Sequence, residues 1–225
     1  MVLMKTLAID TAFRDGRIGL VENGKTSAEE RVEAGHLESH TFAAILKLGI
    51  SPNLEGIDLI ALAAGPGSFT GLKIGTVVAK SLSLLQRKPF KGIGTLAWMA
   101  ASAGDGIIIP IIKSHGDRFY WGLYELKSAG KHPRIPRELI APKSTNPTEM
   151  VAAIKASGYP EPDIAAFAEG FMDDIEIPWS VKGIKLPLST LAVLAEYGLN
   201  SGGPDDPLMF TPFYVGRSQA EEKAG

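Results

Sequence analysis

Apolar positions recur in two rhythms along the first hundred residues. Short runs bounded by glycine, asparagine and charged residues read as strands over Thr6–Asp10, Ile18–Glu22 and Thr26–Val32. Arg14-Asp15-Gly16-Arg17 supplies the first turn between them. Asn23-Gly24 supplies the second, a pair suited to a two-residue hairpin because both residues accept positive φ. From His36 to Leu48 the spacing changes to the helical period, and Gly49 and Pro52 stop the helix. Ile57–Ala64 is a continuous apolar run, as in a strand buried on both faces, and Gly71–Gln86 reads as a second helix. A strand over Pro89–Ile93 and a helix over Thr95–Ser102 complete the order βββαβαβα.

Gly104-Asp105-Gly106 interrupts this pattern, and a second lobe is expected to begin with a strand over Ile107–Ile112 and its hairpin partner over Arg118–Leu126. Pro147-Thr148-Glu149 opens a helix to Ser157, with proline in the first turn, where its missing N–H is not needed. Ile164–Phe167 reads as a short strand and Leu188–Leu199 as a late helix. Proline and glycine then cluster from Gly202 to Pro212 before a polar tail. The expected division is residues 1–104, residues 105–205, and a tail over 206–225 that returns to the first lobe. No internal repeat is visible residue by residue, although both halves begin with an apolar strand and a hairpin. Alternating strands and helices put the chain in the α/β class.

Two faces of the helix over Gly71–Gln86 compete for the interior. Ile74, Val77, Val78, Ser81, Leu82 and Leu85 form a stripe at helical spacing, read here as the inward one. Gly71, Gly75, Ala79 and Ser83 recur every four residues on another face, flanked by Leu72 and Thr76, and small residues there let a second backbone approach closely. On the preceding helix, Leu37, Thr41, Ala44 and Leu48 make one stripe and Phe42, Ile45 and Leu46 another. One stripe on each helix faces the core. The other needs cover, either from the same lobe or from a helical partner.

Composition narrows the chemistry. Of 225 residues, 45% are hydrophobic and 21% charged, an ordinary globular balance. The formal net charge of −2 gives no general basic field to hold nucleic acid by counterion release. Without any cysteine there are no disulfides, thiolate metal sites or cysteine nucleophiles. The apolar start of the chain is too short for a signal peptide, and no apolar run approaches the ~20 residues that span a bilayer. A soluble, cytoplasmic protein without a membrane partner is expected.

The stretch with the most specific pattern is Gly65-Pro66-Gly67-Ser68-Phe69-Thr70-Gly71-Leu72-Lys73-Ile74-Gly75, which follows a buried strand and opens a helix. Its glycines allow a tight turn, and backbone N–H groups at a helix start can hold an anion. Asp10, Thr11, Gly65, Gly67, Ser68 and Thr70 are therefore candidates for an anion or nucleotide site. The alternative is a plain strand-to-helix turn, with Asp10 capping a strand end. No Gly-Lys-Ser/Thr ends the stretch, so it is not a Walker loop. His36 and His40, at i and i+4, have chelating spacing, but no third ligand accompanies them and both read as surface or interface residues. Glu29-Glu30 and Asp173-Asp174 are sequence neighbours whose side chains diverge, and His115 and His132 lie in turn-rich segments and read as solvent-exposed. No Gly-x-Ser-x-Gly supports a serine nucleophile. No catalytic residue and no metal site is assigned.

The segment Gly65–Gly75 resembles the GPGSFTGLRIG signature of the TsaB family, with Lys73 where arginine is usual. Ile9-Asp10-Thr11 and His36-Leu37-Glu38-Ser39 extend the resemblance. Ile112 to Tyr120 resembles the family's DARRGEVY segment, with Lys113, Ser114 and His115 departing from it. Pro212-Phe213-Tyr214-Val215 resembles the closing P-x-Y-L-R, although Gly216 stands where arginine is expected and Arg217 follows one later.

The resemblance implies a two-lobed fold akin to actin, Hsp70 and sugar kinases (ASKHA), with mixed sheets flanked by helices. It implies a non-catalytic scaffold and activator of TsaD, in the complex that transfers threonylcarbamoyl to N6 of the adenosine beside the anticodon of ANN-decoding tRNAs. Expected partners are TsaD in a heterodimer, the ATPase TsaE in a ternary assembly, and a second copy when the chain is alone. The tRNA would be met only through the complex. The implied interface residues are His36, His40, Thr41, Ala44, Gly71, Leu72, Gly75, Thr76, Ala79 and Ser83. ATP, Mg²⁺ and metal are expected on the partner subunits, with no cofactor on this chain. The catalytic relative's metal-binding His-x-x-x-His would fall at Gly94-Thr95-Leu96-Ala97-Trp98-Met99, where no imidazole or carboxylate is present. Ala12-Phe13-Arg14 replaces small residues expected in a phosphate loop, and Gly116-Asp117 and Gly170 are the only traces of a second such loop. A TsaD-like transferase, a kinase of this fold or a nucleotide sensor remain the alternatives.

Overall fold

The computed structural model describes residues 4–127, 134–170 and 175–215. The described chain divides into two compact units. One holds the residues up to Trp98 together with Pro187–Pro212, and the other is built on Met99–Leu186 and takes up the chain again from Phe213, so the expected return of the tail to the first lobe holds only as far as Pro212.

The first unit is a five-stranded mixed sheet. Its strands are β1 (Lys5–Asp10), β2 (Gly16–Glu22), β3 (Lys25–Val32), β4 (Leu59–Ala63) and β5 (Phe90–Ile93), in the order β3-β2-β1-β4-β5. The hairpins β1–β2 and β2–β3 are antiparallel, while β1–β4 and β4–β5 are parallel and need helical crossovers. Those connections run through α1 (Leu37–Lys47) and α2 (Phe69–Gln86), and α3 (Thr95–Ala103) follows β5. Successive residues of β1 face opposite sides of the sheet. Leu7 and Ile9 join Ala44, Ile45, Ala79 and Leu82 in a core with α1 and α2. Thr6, on the opposite side, donates its hydroxyl to Glu196 Oε1 (2.8 Å) of α5 (Leu188–Gly202), which covers that side.

That helix corrects the expected division. It belongs to the first unit, not to a lobe over 105–205, because its buried Leu188, Leu191, Ala192 and Ala195 pack on the sheet of β1, β4 and β5. Gly19 on β2 leaves the room, since a Cβ there would stand 2.7 Å from Leu188 Cδ1.

The second unit repeats the topology. β6 (Gly106–Lys113), β7 (Phe119–Leu126), β8 (Arg137–Thr145), β9 (Ile164–Ala168) and β10 (Val181–Ile184) lie in the order β10-β9-β6-β7-β8. Here too the first strand is central, with a meander to one edge and parallel strands to the other. Trp121, Phe167, Met150 and Ile154 are fully buried in its core. α4 (Pro147–Ala156) starts at Asn146, whose side chain accepts from Glu149 N while Glu149 caps back, closing both donors of a capping box. β8 and β10 are additional to the strands read from the sequence. The mixed α/β architecture with helix-flanked sheets is the expected one. No helix among the described residues is long and apolar enough to cross a membrane.

Candidate functional site

The glycine-rich segment after β4 lies directly on the β1–β2 turn. Ser68 N donates to Ala12 O (2.7 Å), and Thr11 Oγ1 donates to Gly71 O (2.8 Å). A Cβ on Gly67 would fall on the Ala12 carbonyl, one on Gly71 on the Thr11 carbonyl, and one on Gly75 on the Thr11 hydroxyl. The glycines thus let α2 rest against its own turn, which requires the same residue type as a phosphate cradle. Two donors expected to face outward are used internally: Ser68 N as above, and Gly71 N, which donates to the capping Ser68 Oγ (3.3 Å). Gly65 is held by α3, its N–H donating to Thr95 Oγ1 (3.1 Å) and its carbonyl accepting from Thr95 N (2.7 Å). Thr70 is exposed at the first turn.

Asp10 ends β1 with no exposed surface. Arg17 donates to its Oδ2 through Nη2 (2.7 Å) and Nε (3.3 Å), and Ala12 N donates to Oδ1 (3.1 Å). Burial pushes this carboxyl above its ordinary range, against the pull of Arg17. Its carboxylate is neutralised by a cation built into β2, and Ala12 and Phe13 fill the turn beside it as buried side chains. Both carboxylate oxygens of Asp10 are thus engaged at the end of β1, by Arg17 and by Ala12 N.

The inward side of α2 is turned from the expectation: of the expected stripe Leu82 is buried and Ile74 and Val78 pack partly against the core, while Val77, Ser81 and Leu85 lie outside. Gly71, Leu72, Gly75, Thr76, Ala79 and Ser83 are buried, together with Leu82. Val77 is 63% exposed, Leu84 45% and Leu85 75%, with Ser81 also outside. The small residues face inward because Thr11 and Leu62 lie too close for anything larger. On α1, which packs against α2, Leu37, Thr41, Ala44 and Ile45 are buried while Phe42 (49%) and Leu46 (44%) are exposed. Six of the interface residues expected on α2 and two on α1 are therefore core residues of the unit. Only His36 and His40 of that set are exposed. Their rings stack at 4.9 Å. Phe69 opens the outer face of α2 with Lys73 Nζ 4.0 Å above its ring.

Among the described residues, no group of three or more histidine, aspartate or glutamate side chains is placed to hold a metal. His115, read as exposed, is half-buried, with Nδ1 3.1 Å from Ser114 Oγ. Asp117 and Gly170 are exposed in turns. Glu29 and Glu30 are neighbours on β3, where successive side chains diverge. His132, Asp173, Asp174, Gly216 and Arg217 lie outside the described residues.

The family model described as TsaD, tRNA N6-adenosine threonylcarbamoyltransferase, matches residues 35–198. The chain belongs to the TsaD family. Within it the TsaB resemblance holds. The tRNA threonylcarbamoyladenosine biosynthesis protein TsaB of Bacillus subtilis (strain 168) is 36% identical over 88 residues, 38% of each chain. The TsaB of Escherichia coli (strain K12) is 30% identical over 135 residues, 56% of this chain and 58% of that one. Those matches thus span between about two fifths and three fifths of the relatives' length. A tRNA N6-adenosine threonylcarbamoyltransferase of Thermus thermophilus is 24% identical over 80% of this chain and 62% of its own. The solved structure of YeaZ from Pseudomonas aeruginosa superposes with a TM-score of 0.72 at 21% identity, over 95% of this chain and all of that one, which establishes the fold.

In this TsaD-family chain, the stretch aligned by resemblance with the catalytic histidine pair starts α3 and is closed. Thr95, Leu96, Trp98 and Met99 have no exposed surface, and Trp98 Nε1 donates to Pro187 O (3.1 Å).

Proposed function

We propose that this chain is a non-catalytic subunit in tRNA threonylcarbamoyladenosine biosynthesis, docking a TsaD-type transferase through the outer faces of α1 and α2. The observation that carries the reading is the row of large apolar side chains left in water there: Phe42 and Leu46 on α1, Val77, Leu84 and Leu85 on α2. Isolated exposed hydrophobics need no explanation, but five on two packed helices mark an interaction face. The occupied Asp10, the filled Ala12-Phe13 turn and the buried start of α3 support an adaptor rather than a phosphoryl- or acyl-transfer enzyme. The names of the relatives supply the pathway. TsaE, ATP, Mg²⁺ and tRNA then enter through the assembly, and a second copy occupies the same face when no transferase is present.

Co-elution on size exclusion with the TsaD protein of the same genome is the test. The reading expects a stable complex, and no ATP turnover by the isolated chain above a buffer control. Separate elution of the two proteins, with turnover lost in Asp10→Asn, would instead favour an enzyme acting alone.

A further inference from the structure

Beyond α5, residues 203–210 form a strap along the open edge of β5. Asp205 N donates to Phe90 O (2.8 Å), and Asp205 Oδ2 accepts from Gly92 N (2.8 Å), so the strap takes the bonds a sixth strand would make. Lys91 Nζ ties it further to Asp205 Oδ1 (2.8 Å) and Gly203 O (3.1 Å). Phe210 stands edge-on to Phe90, ring centroids 4.8 Å apart, in the space left by Gly92. Asp206 closes the turn between these anchors, accepting from Leu208 N at Oδ1 (2.8 Å) and from Phe210 N at its carbonyl (2.9 Å). At the tip of this pinned turn, Leu208 is 71% and Met209 78% exposed. Every anchor holds the flanks, and the apolar tip is held out into water.

The tip adjoins the outer face of α2. Lys80 Nζ donates to Phe210 O (2.9 Å), and Lys80 lies between Val77 and Leu84 on the helix. The helix Phe69–Gln86 carries Lys73 and Lys80 and no acidic residue, and Arg87 follows it. Lys73 and Arg87 are exposed. The surface that complements this face is an apolar helix flanked by carboxylates, since opposite charge steers encounter and fixes register. Residues 216–225, Gly-Arg-Ser-Gln-Ala-Glu-Glu-Lys-Ala-Gly, carry no large apolar side chain.

We infer that Leu208 and Met209 are a third docking element, continuous with α2, for the same acidic-flanked helix of the transferase subunit. This rests on the docking face assigned above, and the strap's role is the added content. Burying a leucine or methionine side chain that was in water contributes about tenfold or more in affinity. The experiment titrates the full chain against its TsaD protein and compares the parent, Leu208→Glu with Met209→Glu, and Val77→Glu, with thermal melting on each preparation. The expected result is a dissociation constant weakened at least about tenfold in both variants, at an unchanged melting temperature. Binding lost in Val77→Glu but kept by the tip variant overturns the strap's role and leaves the α1–α2 face standing. Binding kept by both, or absent in the parent, overturns the two together. A tip variant that only breaks self-association of the isolated chain makes a second copy the occupant and also overturns the inference, as does a fall in its melting temperature.

Discussion

The two faces of α2 differ in a way that side-chain size alone misrepresents. Its inner face centres on Gly71, Gly75, Ala79 and Ser83, with Leu72 and Leu82 buried beside them and Ile74 and Val78 partly buried at the edge. Its outer face carries Val77, Leu84 and Leu85 in water. The small residues mark how closely the helix sits on the β1–β2 turn, and the large ones mark where nothing described in this chain covers it. A stripe of small residues is thus evidence for close approach of some backbone, and here that backbone belongs to the same unit.

The sharpest way to break this contrast is Ala79→Arg. An arginine at a site with no exposed surface is an unpaired buried charge, expected to cost about 3–5 kcal/mol by analogy with a broken buried ion pair. The chain should unfold or precipitate, and a soluble variant with parental melting temperature would contradict the inward face. Next comes Arg17→Ala, which removes the counterion of the buried Asp10 at the end of β1. Arg17 is itself 22% exposed in its side chain, so a loss nearer about 3 kcal/mol is expected in urea unfolding. Arg17→Ala combined with Asp10→Asn should recover part of that loss. Val77→Glu on the outer face should leave stability within about 0.5 kcal/mol while weakening capture of the transferase. A destabilised Val77→Glu would erase the contrast between the faces.

The smallest effect expected lies on the opposite side of the sheet. Burial raises the carboxyl pKa of Glu196, with the Thr6 hydroxyl opposing and Asp58 adding to the rise. A raised folded-state pKa contributes stability that is complete below the ordinary glutamate range and fades as pH climbs through the raised value. Glu196→Gln keeps an acceptor for Thr6 and removes the titration. Its melting temperature should fall less than the parent's between acid and neutral pH, and parallel curves would remove Glu196 from the account.

Much of the first unit is legible in the sequence because its signals are local. Asn23-Gly24 demands a hairpin, and Leu59–Ala63, buried throughout, shows no alternation to confuse with a surface strand. β8 and β10 are not legible, since both are edge strands whose burial is slight. Pro142 interrupts β8, and three of the four residues of Val181–Ile184 are exposed, so only backbone pairing with β7 and β9 defines them. The glycine-rich segment stands out in the sequence, but its use does not: Gly71 and Gly75 look alike whether they approach a phosphate or Thr11. The inward side of α2 depends on the turn beneath it, which no periodicity within the helix contains. The Asp10–Arg17 pair does have a sequence signal, opposite charges at facing positions of a hairpin, masked because Arg17 also reads as plain turn chemistry.

Discontinuity of the first unit bears on how the chain is made. The sheet of β1, β4 and β5 is complete by Ile93, yet the helix that covers one side of it ends about a hundred residues later, at Gly202. At roughly 5–20 residues per second, a ribosome leaves that side bare for about 5–20 s. All the helices and strands built on Met99–Leu186 of the second unit fall within the interval and can close first. A nascent chain paused there presents Ala8, Leu59 and Ala61, the side of the sheet opposite Leu7 and Ile60, without a helix over them. Such a half-covered sheet is a natural substrate for chaperones that bind apolar strands. Synonymous codons that slow translation between α3 and α5 should therefore lower soluble yield without altering the finished protein.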